Sequence, residues 1–289
     1  MNDLLSLVLT LQPLEVPAAR QEFPRWWGRA AQALLLDIVQ ERDAALAAQL
    51  HADPQAANKN HPAENVSALR PYTVSTLMGR FKKPGAPDPA QVYTLRFTAL
   101  TAELVELVQG FAATAAGSTL ELDHLPFRVL AVTDLSAEQP WAGLDSYASL
   151  GAKFLSADAL SRRVNFQFAS PVVFKSGGLS QPLPTPTLIF HGLLERWNAF
   201  APLTFAPEVR RYVEECLAVS RFRLQSQSVA MKEGGLRIGA LGQLTLTTTN
   251  PDRFWLGQVH TLAAFARFAG LGAGTAQGLG QVRAIELVE

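Results

Sequence analysis

Cysteine occurs once in the 289 residues, at Cys216, so no intrachain disulfide can form and no cysteine-built zinc site is available. Such usage suits a reducing compartment, and a cytoplasmic location is expected. Long apolar runs are missing as well. No stretch approaches the ~20 uncharged residues that span a bilayer, so no membrane partner is expected. The opening segment MNDLLSLVLTLQPLEV is apolar but has Asp3 where a signal peptide would carry basic residues. Its alternating Leu5, Leu7, Leu9 and Leu11 predict a strand. Histidine is also scarce, five in all, and no pair has trustworthy metal-ligand spacing. No cofactor is expected.

Net charge is absent too, at +0, which on the sum alone speaks against nucleic acid. The distribution does not. Residues 1–150 carry 11 Lys/Arg and 16 Asp/Glu, a net −5, while residues 151–289 carry 14 and 9, a net +5. A neutral total can therefore hide a polyanion-binding face in the second half. What the chain has in quantity is apolar residue, 48%, enough for two modest cores and too much for disorder.

Element order predicts a duplicated α+β fold. The first half reads as a strand over 4–11, a long helix over about 27–50, a polar loop and a strand near 69–76. The Pro/Gly turn FKKPGAPDP follows, then a strand near 91–97, a short helix over 100–110 and a strand near 119–132. That β-α-β-β-α-β order is ferredoxin-like, as in RRM domains. In the second half RVNFQFASPVVFK, SRFRLQSQSVAMK and LRIGALGQLTLTT read as strands, the last two joined by a Glu-Gly-Gly turn at 233–235. PTLIFHGLLERWNAF, PEVRRYVEECLAV and DRFWLGQVHTLAAFARFAG read as helices, and QVRAIELVE closes the chain as a strand. The expectation is two tandem ferredoxin-like domains with antiparallel sheets, over 1–135 and 158–289, joined by a turn-rich linker near 134–158.

The densest motif is GLGAGTAQGLGQVR, which sets Gly272, Gly274, Gly278 and Gly280 between a helix and a strand. It lacks the Lys-Ser/Thr ending of a P-loop, and Gln277 stands where a dinucleotide fingerprint needs its third glycine. Glycine admits φ > 0 and close approach, so such a run can converge backbone N–H groups on an anion. Thr275 and Gln277 add side-chain donors, and Arg267 and Arg283 flank the run. A tightly turned connection is the plainer alternative.

A loop of the form G-x-G-x-x-x-G-x-G-x-V-R before the last strand of a second ferredoxin-like unit resembles the hallmark of the RAMP proteins. Within them the chain is similar to the CRISPR-associated endoribonuclease that cuts precursor CRISPR RNA within its repeats. FASPVVFKSGG followed by LPTPTLIFHGLLERWNAFAP, with Trp197 and Asn198, agrees with this, as do Leu50-His51 and Arg70-Pro71-Tyr72-Thr73-Val74-Ser75. The resemblance implies metal-independent cleavage by the ribose 2′-OH, leaving a 2′,3′-cyclic phosphate and a 5′-OH. It carries the catalytic histidine over to His51, at a helix end where the dipole favours the imidazolium. Lys59 and Tyr72 are the supporting catalytic candidates, and Arg25 and Arg29 a cationic shell in the same cleft. Trp26 and Trp27 beside them read as packing. His61 ranks lower, and His124, His191 and His260 read as structural or surface residues, His124 in a strand.

For RNA grip the second half offers Arg162, Arg163, Lys175, Arg221, Arg223, Lys232 and Arg237, beside Gly272, Gly274, Thr275, Gln277, Gly278 and Gly280. Arg221 and Arg223, two apart on a strand, share a face. CRISPR repeat RNA, precursor and mature guide, is the implied partner; effector-complex subunits and a second copy are partners the family admits. A non-catalytic RAMP subunit that binds guide RNA remains the alternative, and a small-molecule enzyme finds no carboxylate pair or nucleophile motif to run it.

Overall fold

In the computed structural model, which describes residues 2–15, 23–51, 69–81, 85–230 and 235–285, the alternating leucines form β1 (Leu4–Pro13). Leu5, Leu7, Leu9 and Leu11 are all buried in one core. β1 is central: it pairs antiparallel with β3 (Tyr93–Ala99) on one side and β5 (Leu125–Thr133) on the other. β2 (Tyr72–Val74) lies beyond β3 and β4 (Thr119–Leu122) beyond β5, giving the order β2-β3-β1-β5-β4. α1 (Gly28–Arg42) and α3 (Ala102–Ala115) pack Leu35, Ile38, Val39, Leu104 and Val108 onto the leucine face. Each such side chain contributes ~1.5–3 kcal/mol by leaving water.

Two local features differ from the sequence reading. The helix expected over 27–50 is two, because Asp43 is extended at φ −148° and ends α1. Its Oδ1 then accepts from Leu46 N–H at 2.9 Å and caps α2 (Ala44–His51). One aspartate thus stops one helix and starts the next. The strand expected over 119–132 is a hairpin instead, turned at Asp123 (φ 48°) and His124 (φ 63°). Two consecutive positive φ values are what the tightest hairpin turns require. His124 is therefore an exposed turn residue, 3.2 Å from Glu121 Oε1, and not a strand residue.

The second half repeats the plan. β10 (Leu217–Ala230), β11 (Leu236–Thr248), β7 (Arg163–Val172) and β12 (Val282–Ala284) form an antiparallel sheet in the order β10-β11-β7-β12. α5 (Pro186–Phe200), α6 (Glu208–Cys216) and α7 (Arg253–Ala269) cover it, burying Phe166, Phe190, Trp197 and Phe265. Two tandem ferredoxin-like units, both antiparallel, result. Pro186 opens α5 and Thr185 Oγ1 caps it from Leu188 N–H at 3.3 Å. At the other end Trp197 Nε1 donates to Leu203 O (2.8 Å), and Asn198 exchanges bonds of 2.9 and 2.8 Å with Phe205. The Trp-Asn pair closes the turn after the helix. β8 (Phe174–Ser176) and β9 (Leu179–Gln181) make a separate small hairpin.

The stretch near 134–158 is built into both halves. β6 (Gly143–Asp145) pairs with β1, while α4 (Tyr147–Leu155) sets Tyr147 edge-on to Trp197 at 5.1 Å in the second core. Among the described residues no helix is long and apolar enough to cross a membrane.

Candidate RNA interface and cleavage site

The glycine-rich run lies on the seam between the halves. Gly278 bridges to Ser75, and Trp26 Nε1, just before α1, donates to Gln277 O at 2.7 Å. A Cβ on Gly28 would sit 1.9 Å from that same carbonyl oxygen. Gly272 has φ 72° and a Cβ there would meet Val173 O at 2.2 Å; Gly280 has φ 68° and would meet Leu271 O at 2.0 Å. Only glycine fits at either. The run's N–H groups are largely engaged within the chain: Leu271 to Gly280 O, Ala273 to Val173 O, Leu279 to Gly274 O and Gly280 to Pro171 O. Thr275 is 3% exposed and its hydroxyl accepts from Arg196 Nη2 at 2.8 Å.

The motif is not uniformly exposed. Thr275, Gly278 and Gly280 are buried in the seam between the two halves of the chain, while Gly272, Gly274 and Gln277 are the half-exposed lip. Arg237 joins that lip: a Cβ on Gly274 would lie 2.9 Å from its Nη1.

Two buried arginines brace the run with no carboxylate among their hydrogen bonds, Arg96 across the seam and Arg196 within the second half. Arg96, on β3, donates from Nε to Gln281 Oε1 at 2.8 Å, from Nη2 to the same oxygen, and from Nη1 to Arg267 O at 3.1 Å. Gln281 in turn donates to Val74 O at 2.8 Å. Burial pulls the Arg96 guanidinium down to about 9. Arg196, on α5, donates to Ala269 O at 3.0 Å and to Thr275, and burial lowers it to about 10. The flanking pair is also committed. Arg267 Nη1 reaches Ala142 O at 3.2 Å; Arg283 reaches Pro140 O at 3.0 Å and lies 5.0 Å over Trp141.

His51 is the last residue of α2 and is exposed. Lys59 and His61 lie outside the described residues. Tyr72 is fully buried on β2, with no solvent-exposed surface of its own. Its oxygen accepts from Gln32 Nε2 on α1 (3.0 Å) and from Arg70 Nη1 (3.3 Å). Arg70 Nη1 also donates to Leu50 O, next to His51. Gln32 and Arg70 were not legible as site residues, since nothing local marks a polar residue that bonds across elements. Arg25 and Arg29 are exposed where α1 begins. Trp27 is buried, with Nε1 to Gly85 O at 2.9 Å, as its reading as packing requires.

The basic residues of the second half divide. Register puts Arg221 beside Thr245 and Asn165, and Arg223 beside Gln243 and Gln167, on one sheet face. Arg163, opposite Thr247, extends it. Arg221, Arg223, Gln243, Thr245, Asn165 and Ile285 line a groove of about 380 Å³ there. Arg162 spends its guanidinium on Thr248 O and Thr249 O, at 3.1 and 3.2 Å. Lys175 is exposed on the separate β8–β9 hairpin, and Lys232 lies outside the described residues.

Of the remaining histidines, His260 has Nε2 2.7 Å from Ser161 O and stacks on Phe154; His191 sits 3.4 Å from Glu214. Burial lowers both below the usual histidine value.

Two antiparallel ferredoxin-like units share a glycine-rich seam, and that architecture recurs in solved Cas6 structures. The model of the CRISPR-associated endoribonuclease Cas6 family matches residues 166–282, from β7 to β12. A curated Cas6 endoribonuclease of Mycobacterium tuberculosis is 27% identical over 135 residues, which span 46% of this chain and 42% of that protein. Among solved structures, a Cas6 product complex superposes with a TM-score of 0.76 at 26% identity, covering 99% of this chain and 100% of that one. Thermus thermophilus Cas6 shares the fold, with a TM-score of 0.70, 24% identity and 99% of each chain covered. The resemblance read from the sequence is thus to Cas6, and it holds over the whole fold.

Proposed function

We propose that the chain is an endoribonuclease that cuts precursor CRISPR RNA within its repeats and needs no metal to do so. The ribose 2′-oxygen forms a bond to the adjacent phosphorus as the bond to the 5′-oxygen breaks. The 2′ proton passes to a base, and an acid protonates the departing oxygen, leaving a 2′,3′-cyclic phosphate and a 5′-OH. His51 takes one of these proton roles, and Lys59 donates to the charged phosphate oxygens. Tyr72 supports the histidine, and its phenol oxygen accepts from Arg70. Arg25 and Arg29 form the cationic rim where α1 begins. The units proposed are 1–135 for the cut and 158–289 for the grip, in which Arg163, Arg221 and Arg223 track the phosphate chain and Arg237 and Lys175 extend the charge. CRISPR repeat RNA is the partner.

The observation that supports this reading most directly is the placement of His51: exposed, at a helix C-terminus, on a fold shared end to end with a Cas6 product complex. The test is incubation of full-length protein with a labelled repeat RNA in EDTA. Cleavage to a cyclic phosphate terminus, abolished by His51→Ala with binding kept, is expected. Binding without cleavage by the wild type would sink it and favour a guide-binding RAMP subunit.

A further inference from the structure

We propose that Arg70 is a positioning residue for His51, an inference that rests on the proposed role of that histidine. α2 has eight residues, too few to be stable on helix propensity alone, and its last carbonyls have no partner within the helix. Arg70 enters from the segment before β2 and donates from Nη1 to Leu50 O. That carbonyl belongs to the Leu50–His51 peptide, whose six atoms lie in one plane and include the Cα of His51. Fixing the oxygen therefore fixes the base of the histidine side chain.

Arg70 is itself well held. The same Nη1 reaches the Tyr72 phenol oxygen at 3.3 Å, and the guanidinium lies 5.9 Å from the centre of the Tyr72 ring. Tyr72 is fully buried, and Gln32 of α1 donates to its oxygen at 3.0 Å. The path Gln32–Tyr72–Arg70–Leu50 thus ties the exposed end of α2 to the rigid sheet and to α1. A half-buried arginine with this set of contacts orients a neighbour; it is not itself required to meet the RNA.

Arg70→Ala, Arg70→Lys and Tyr72→Phe, in the full chain, separate the alternatives. With saturating repeat RNA, Arg70→Ala should lower the single-turnover cleavage rate on the order of tenfold to a hundredfold while RNA affinity stays as in the wild type. Lysine, with one donor group able to reach Leu50 O, should recover part of the rate, and Tyr72→Phe should cost less than alanine at 70. Hydrogen exchange at the last turn of α2 should quicken in Arg70→Ala and in no other helix. An unchanged rate, unchanged exchange at α2, or a loss confined to RNA affinity with a shallower salt dependence would overturn the proposal; the last would make Arg70 a phosphate contact. If the wild type cuts no repeat RNA, the functional reading falls, and the exchange result alone decides whether Arg70 holds α2.

Discussion

Arg96 Nε lies 2.8 Å from Gln281 Oε1, and this bond joins a strand of the first unit to the residue that ends the glycine-rich run of the second. Arg96 is 3% exposed and has no carboxylate among its bonds; it is met by the Trp141 ring at 5.4 Å, the Ser6 hydroxyl, the Arg267 carbonyl and, through two N–H groups, the Gln281 amide oxygen.

Removing that acceptor should therefore be costly. Gln281→Ala strands two N–H groups of a buried cation, and a loss of about 1–3 kcal/mol in unfolding free energy is expected. Arg96→Met on top of it should cost less than the sum of the two single changes, since the orphaned charge is gone. Chemical denaturation of the three variants measures both statements.

The two uses of glycine separate by mutation as well. Gly177, in the β8–β9 turn, has φ 57° with open space around it; Gly280 has φ 68° with Leu271 O in the way. Gly177→Ala should cost only the left-handed penalty of about 1–2 kcal/mol. Gly280→Ala should cost distinctly more, because the backbone must also move. Equal shifts in the denaturation midpoint would mean that the seam yields easily.

Acid should weaken the fold through His260. Burial holds its folded value below the usual 6.5, so as pH falls past 6.5 the unfolded chain takes up a proton that the folded chain resists. Stability is then lost on acidification and regained as pH rises. His191 is shifted in the same direction. Melting temperature should drop as pH is lowered from 6.5, and His260→Gln, which can still donate to Ser161 O, should flatten part of that slope.

Much of the fold could be read from residue order. The alternating leucines of β1, the repeated strand–helix–strand–strand–helix–strand plan, and Pro186 opening α5 each carry a local cause that sequence displays. Asp43 did not, because ending one helix and capping the next calls for the same residue type as a surface position. The turn at Asp123–His124 was missed because neither residue is glycine, the usual mark of positive φ. The site was less legible. A glycine required by a phosphate and one required by a neighbouring carbonyl look alike in one dimension, and nothing beside Thr275 shows that its hydroxyl accepts from Arg196, 79 positions away. Arg70 and Gln32 matter through partners 20 and 40 positions away along the chain.

The seam also bears on what a signature of this kind can report. Glycines required by contacts between two halves of one chain report on the architecture, and residue 51 is not among those contacts. The loop speaks for the architecture; on the proposed reading, the end of an eight-residue helix speaks for the chemistry.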